Sequence, residues 1–227
     1  GGEAVPKPTT QPAKRVAPAS KAYGARQLEN APNLRYVKPL SALGLPGTEE
    51  FDWLDFGLQH RTRWNYRVDD YQRNPATGDD NQFLLRSLGY IGIREILDPI
   101  RFGFEFQDSR QFNSILPPNN QDTDEADIIQ AFVELYFPDV FGKGDPFRFQ
   151  VGRFTMDYAD RKLVARNGWR NTTSFDGFRI QLGDWTSDWQ FDVFAVQPVE
   201  RFLHKFNHGD EERWFFGIEG AWRKWKD

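Results

Sequence analysis

Between residues 54 and 67 the chain changes character at every step. Leu54, Phe56, Leu58, His60, Thr62, Trp64 and Tyr66 fall on one side of an extended backbone, and Asp55, Gly57, Gln59, Arg61, Arg63, Asn65 and Arg67 on the other. Side chains alternate across a strand, so this run predicts one strand with an apolar and a polar face. It is longer than the ~5–6 residues typical of globular proteins. A strand tilted across a hydrocarbon layer needs about 9–11 residues. The aromatic end of the run fits that second case, in which rings sit at the interface.

The same pattern returns down the chain. Ile100, Phe102, Phe104 and Phe106 alternate with Arg101, Gly103, Glu105 and Gln107; Ile129, Ala131, Val133, Leu135 and Phe137 alternate with Gln130, Phe132, Glu134 and Tyr136. Phe178, Ile180 and Leu182 repeat it, as do Trp189, Phe191, Val193 and Ala195. Weaker runs cover residues 83–94, 147–154 and 213–222. The reading is all-β, about eight strands in antiparallel hairpins. No apolar run is long enough for a transmembrane helix. A membrane barrel needs none, because only every second strand residue meets lipid. The 21 Phe, 8 Trp and 7 Tyr of this otherwise polar chain suit such a fold. We therefore expect an antiparallel transmembrane β-barrel.

Connection lengths give the orientation. Long links at 68–82, 108–125, 155–174 and 197–212 alternate with short ones at 95–99, 138–146 and 184–188. Outer-membrane barrels have short periplasmic turns and long extracellular loops, which predicts a periplasmic N-terminus and a first strand running outward. Pro6, Pro8, Pro12 and Pro18 lie among Ala, Thr, Lys and Arg, with few large apolar residues to offset ordering entropy. The domain reading is a flexible Pro/Ala-rich segment over 1–47 and the barrel over 48–227.

The polar face carries Arg61, Arg63, Arg67, Arg86, Arg94, Arg101, Glu105, Glu134, Arg148, Arg179, Asp192 and Glu219. In a barrel these line a water-filled lumen and offer a route for a charged solute. In a soluble sandwich they would be the solvated outer face, since both architectures alternate. The rival reading is thus a soluble β-sandwich that binds or cleaves polysaccharide.

Several chemistries find little support. The chain has no cysteine, which excludes thiol chemistry and disulfides. A net charge of -4 argues against nucleic acid as a partner. Glu105 with Asp108, or Glu134 with Asp192, could be offered as a glycosidase pair, but arginines outnumber acids on that face. Asp122, Asp124, Glu125 and Asp127 do not match a calcium loop and read as a solvated acidic loop, as do Asp69, Asp70, Asp79 and Asp80. His204 and His208 lack a third metal ligand. Asn171-Thr172-Thr173 is a chance sequon. No nucleophile motif or phosphate-binding glycine loop is present, so we expect no enzyme and no cofactor.

A series of local motifs goes beyond a generic barrel. Leu84-Leu85-Arg86-Ser87-Leu88-Gly89 precedes Phe104-Glu105-Phe106-Gln107-Asp108-Ser109-Arg110, then Ala126-Asp127-Ile128-Ile129-Gln130-Ala131-Phe132-Val133. Val151-Gly152-Arg153, Arg161-Lys162-Leu163-Val164 and Asn167-Gly168-Trp169-Arg170-Asn171 follow. Phe175-Asp176-Gly177-Phe178-Arg179 and Asp192-Val193-Phe194-Ala195-Val196-Gln197-Pro198-Val199 complete the series. In this order, from Phe51 to Trp222, the chain resembles the alginate export family of outer-membrane porins.

The resemblance implies an eighteen-stranded monomeric barrel whose arginine-rich constriction conducts polyanionic alginate outward. Carried over, Arg61, Arg63, Arg86, Arg110, Arg153 and Arg179 would be pore cations, with Glu105, Asp108 and Asp192 as acidic partners. Simple alternation from Phe147 and Val151 turns Arg153 outward unless a bulge intervenes. The implied partners are outer-membrane lipid, an anionic polysaccharide or small charged solute, and periplasmic export or envelope partners. A structural barrel within an envelope complex is the other reading. The chain is too short for eighteen strands at about 10 residues each, so we expect further strands outside this sequence. It ends Lys224-Trp225-Lys226-Asp227, without the terminal aromatic usual in such barrels.

Overall fold

The structure, a computed structural model, describes residues 36–68, 78–158, 164, 166, 171–183 and 187–222. The motif residues 161–163 and 167–170, the acids Asp69 and Asp70, the segment 1–35 and the terminal residues 224–227 lie outside the described residues.

Eight long strands form where alternation predicts them. They are β2 (Leu54–Arg67), β3 (Asp80–Ile93), β4 (Ile100–Phe112), β5 (Asp124–Phe137), β6 (Phe147–Phe154), β7 (Phe175–Leu182), β8 (Trp189–Glu200) and β10 (Phe215–Trp222). Two short strands, β1 (Val37–Pro39) and β9 (His208–Gly209), complete the set. The fold is all-β, and each strand pairs antiparallel with its neighbour in the order β1-β2-β3-β4-β5-β6-β7-β8-β10, with β9 on β8. Among the described residues the sheet is open, with β1 at one edge and β10 at the other. Within the segment 1–47, β1 pairs with β2 and runs into a 3-10 turn, Leu40–Leu43.

One sheet has two unlike faces, and they are the reverse of a sandwich. On β2 to β4 the apolar face is the exposed one: Leu58 is 70 % accessible, Trp64 66 % and Phe104 43 %. The polar face is covered: Gln82, Glu105 and Gln107 are fully buried, and so is Arg86 almost entirely. Among the described residues no second sheet packs on the phenylalanines. We call the exposed apolar side convex and the buried polar side concave.

The concave side has a small core of its own. Met156, Tyr158 and Val164, from the connection after β6, pack with Tyr90, Phe132, Phe194 and Val196 and with Val37 from β1. Tyr158 stacks on Phe194 with ring centroids 5.1 Å apart, and its backbone N–H donates to Val164 O at 2.9 Å. Beneath these rings Gly92, Gly103, Gly152 and Gly177 fall in one cross-strand row, broken only by Phe132 between Gly103 and Gly152. A Cβ at Gly103 would collide with the Phe132 ring and lie 2.8 Å from the Tyr90 hydroxyl. The absent side chain is what lets the aromatic rings lie flat on the strand.

Alternation misplaces one residue. The ladder between β4 and β5 shifts register between Glu105 and Phe106, where Glu105 faces Gln130 but Phe106 faces Ile128. Ile129 is the extra residue of this bulge and is buried rather than on the convex face.

Candidate pore-lining face

The cross-strand register sorts the expected site residues. On the concave side Arg61 lies directly opposite Arg86, and Arg86 opposite Ser109. Arg63 is two residues further along the same face and reaches Asp122 at 3.8 Å. Arg61, Arg86, Ser109, Asp122 and Asn171 line a small open pocket there. This cluster sits at the end of the sheet that carries the long connections.

A second group of cations stands at the opposite end. Arg101 faces Glu134, Glu134 faces Gln150, and Gln150 faces Arg179 in one row. The next row brings Tyr136, Arg148, Gln181 and Asp192 together. Arg101 lies 3.4 Å above the Tyr136 ring centroid and 3.6 Å from Asp98, with Arg148 5.1 Å from the same ring. Stacking on a ring face fixes a guanidinium plane while leaving its N–H edge available to an anion. Arg179 donates to Gln150 Oε1 at 2.7 Å and lies over Phe154. Asp192 is fully buried and accepts from Gln190 Nε2 at 2.9 Å.

Between the two groups stands Glu105. It accepts hydrogen bonds from the Tyr36 hydroxyl, from Arg166 Nη2 and, at 2.6 Å, from Gln130 Nε2. Burial pushes the Tyr36 hydroxyl well above the ordinary phenol range, and the neighbouring carboxylate adds to the shift, so Tyr36 remains a donor. Burial alone would lower Arg166, but Glu105 and Tyr36 reverse it and hold the guanidinium charged. One buried carboxylate thus joins Tyr36, just before β1, to Arg166 from the connection after β6.

Three expected residues lie elsewhere. Asp108 and Arg110 continue the parity of Phe102, Phe104 and Phe106 and stand on the convex face, where Arg110 Nε donates to both Asp108 oxygens at 3.2 and 3.0 Å. Arg153 faces Ala131 and Asp176 on the convex parity, because the backbone at Gly152 does not invert the alternation. It donates to both Asp176 oxygens at 2.7 and 2.8 Å and to the carbonyls of Ile128 and Asn207. Arg153 therefore ties the 201–214 connection to the sheet and leaves the concave set.

The acidic loop is not the solvated one expected. Asp124 and Asp127 are buried and share the side-chain amide of Asn207, while Gln107 donates to Asp124 at 3.0 Å. Asp80 is likewise buried and accepts from Ile115 N and Ser114 Oγ. Asp79 accepts from the Tyr66 hydroxyl at 2.8 Å. His204 lies 3.3 Å from Glu125. Among the described residues no three His, Asp or Glu side chains are grouped to hold a metal. Asn171 and Thr172 of the sequon are buried.

Tyr36, Tyr136 and Arg166 belong to the concave side but were not singled out as site residues by sequence. Arg148 was placed on the polar face by its alternation with Phe147 and Phe149, though not among the pore cations. Tyr36 and Arg166 lie outside any periodic run and gave no signal.

A family model described as alginate export matches the chain over residues 52–227. No curated protein matches the chain, and no solved structure does. The matched region begins just before β2 and covers all eight long strands. This is a family of outer-membrane polysaccharide porins rather than of enzymes, which accounts for a sheet with its apolar side outermost. The chain belongs to the alginate export family.

Proposed function

We propose that the concave face lines a channel through which an anionic polysaccharide of the alginate type, or a smaller charged solute, crosses the outer membrane. The observation that carries this reading is the placement of Arg61, Arg63, Arg86, Arg101 and Arg179 on the concave side of a sheet whose convex side is apolar. Guanidinium groups replace part of the hydration of a passing carboxylate through charge-assisted hydrogen bonds. Cations in two separated groups make several moderate sites in series, which lets an anion advance without being trapped. Glu105 and Asp192 moderate the field between and beside them. The alternation of long and short connections supports a periplasmic N-terminus.

Planar-bilayer recordings test the assignment. Arg61→Glu, Arg86→Glu and Arg179→Glu are each expected to shift the reversal potential in a salt gradient toward cation preference, and to weaken block by added alginate. Unchanged selectivity in all three would remove these arginines from the conduction path.

A further inference from the structure

The two groups of concave cations are built differently. At the long-connection end Arg61 and Arg86 face each other directly across β2 and β3. At the short-turn end two cations share one aromatic ring. Tyr136 is opposite Arg148 across β5 and β6, and Arg101 is opposite Glu134, two residues before Tyr136 on the same face. Diagonal neighbours of this kind are within reach of long and aromatic side chains. Both arginines use that reach: Arg101 Cζ lies 3.4 Å from the Tyr136 ring centroid, and Arg148 Cζ 5.1 Å from it.

The ring is itself held. Tyr136 N–H donates to Pro99 O at 2.8 Å, which fixes the end of β5 against the turn that leads into β4. Asp98 of the same turn steadies Arg101 at 3.6 Å. Two like charges over one ring repel each other, so the arrangement needs an offset. The negative face of the ring supplies part of it. Glu134, buried and opposite Arg101, supplies more. A guanidinium carbon 3.4 Å above a ring is at plane-to-plane contact, so the group lies flat and its N–H bonds point sideways. In that orientation a planar fork can meet both oxygens of a carboxylate.

We propose that Tyr136 is a positioning residue that sets Arg101 and Arg148 as one two-guanidinium site for the carboxylate of a passing sugar acid. The inference rests on the reading of the concave face as a conduction path. Within that reading the two ends do different work: charge serves at Arg61 and Arg86, whereas plane and spacing count at Arg101 and Arg148. A spherical ion such as chloride gains nothing from a fixed plane, and a flat two-oxygen anion does. Loss of the ring therefore separates the two kinds of anion.

The test uses the full-length protein in planar bilayers, with a mannuronate tetramer as blocker and potassium chloride as electrolyte. Unboiled gels, in which a folded barrel migrates apart from its heated form, show that each variant is folded. Tyr136→Leu is expected to raise the half-blocking concentration of the tetramer roughly three- to tenfold. The reversal potential in a potassium chloride gradient should stay as in the unaltered protein. Tyr136→Phe keeps the ring and should be blocked like the unaltered protein. Arg101→Lys keeps the charge without the plane and should behave like Tyr136→Leu, and it carries the test if Tyr136→Leu does not fold. Unchanged block in folded Tyr136→Leu or in Arg101→Lys would overturn the proposal. So would weakened block in Tyr136→Phe, which would assign the effect to the hydroxyl. Arg61→Glu in the same recordings keeps the two readings apart. If it shifts the reversal potential while Tyr136→Leu leaves block unchanged, the conduction path stands and the positioning role falls. If neither variant changes anything, both fall.

Discussion

The convex and concave faces are built from alternate residues of the same strands, yet they obey opposite rules. On the convex face Phe102, Phe104 and Phe106 are accessible and interchangeable in kind, because an acyl chain makes no demand on shape. On the concave face each residue has named neighbours: Glu105 holds Tyr36, Arg166 and Gln130, and Gly103 exists to make room for Phe132. The convex side is selected for transfer free energy, the concave side for fit and charge pairing.

The sharpest way to break that contrast is at Glu105. Glu105→Ala leaves the part-buried Arg166 guanidinium without its buried carboxylate, and losing one partner of such a pair costs up to about 3–5 kcal/mol. Urea unfolding of the barrel in lipid vesicles, followed by tryptophan fluorescence, should show it. An effect below ~1 kcal/mol would mean that the connection after β6 is not held through this carboxylate.

A lesser effect is expected on the convex side from charge alone. Phe104 sits about 10 Å above Ile100, near the middle of the apolar band, so Phe104→Arg should destabilise by about 2–4 kcal/mol. The same assay reads it, and an unchanged midpoint would place that face outside lipid. Smaller still is a paired glycine test. Gly103→Ala is expected to cost about 1–3 kcal/mol by overpacking against Phe132, while Gly89→Ala on the convex face should stay within about 0.5 kcal/mol. Equal costs would erase the distinction between the faces.

Period-two alternation made the sheet legible, because each strand of a one-sided environment must repeat every second residue. It placed Arg61, Arg63, Arg86, Arg101 and Arg179 on the side opposite the phenylalanines, where they are found. It also held against the family carry-over at Arg153, and the same alternation, carried on from Phe106, would have turned Asp108 and Arg110 outward. What it could not reach was the bulge at Ile129, which depends on the ladder with β4 and not on the strand alone. Nor could it find the junction of Tyr36, Glu105 and Arg166, whose members are 61 and 69 residues apart and meet only in the folded chain. Burial of Asp80, Asp124 and Asp127 was hidden for the same reason: acids in a connection look solvated until Asn207 and Ser114 arrive from other segments.

The row containing Gly92, Gly103, Gly152 and Gly177 acts as a hoop drawn tight by omission. Curving a sheet shortens its inner circumference, and the residues that tolerate crowding there are those with nothing to crowd. The fit at that row is therefore set by four strands and the rings lying on them, independently of the long connections. A sheet of this kind can change its long connections without disturbing the row on which those rings lie.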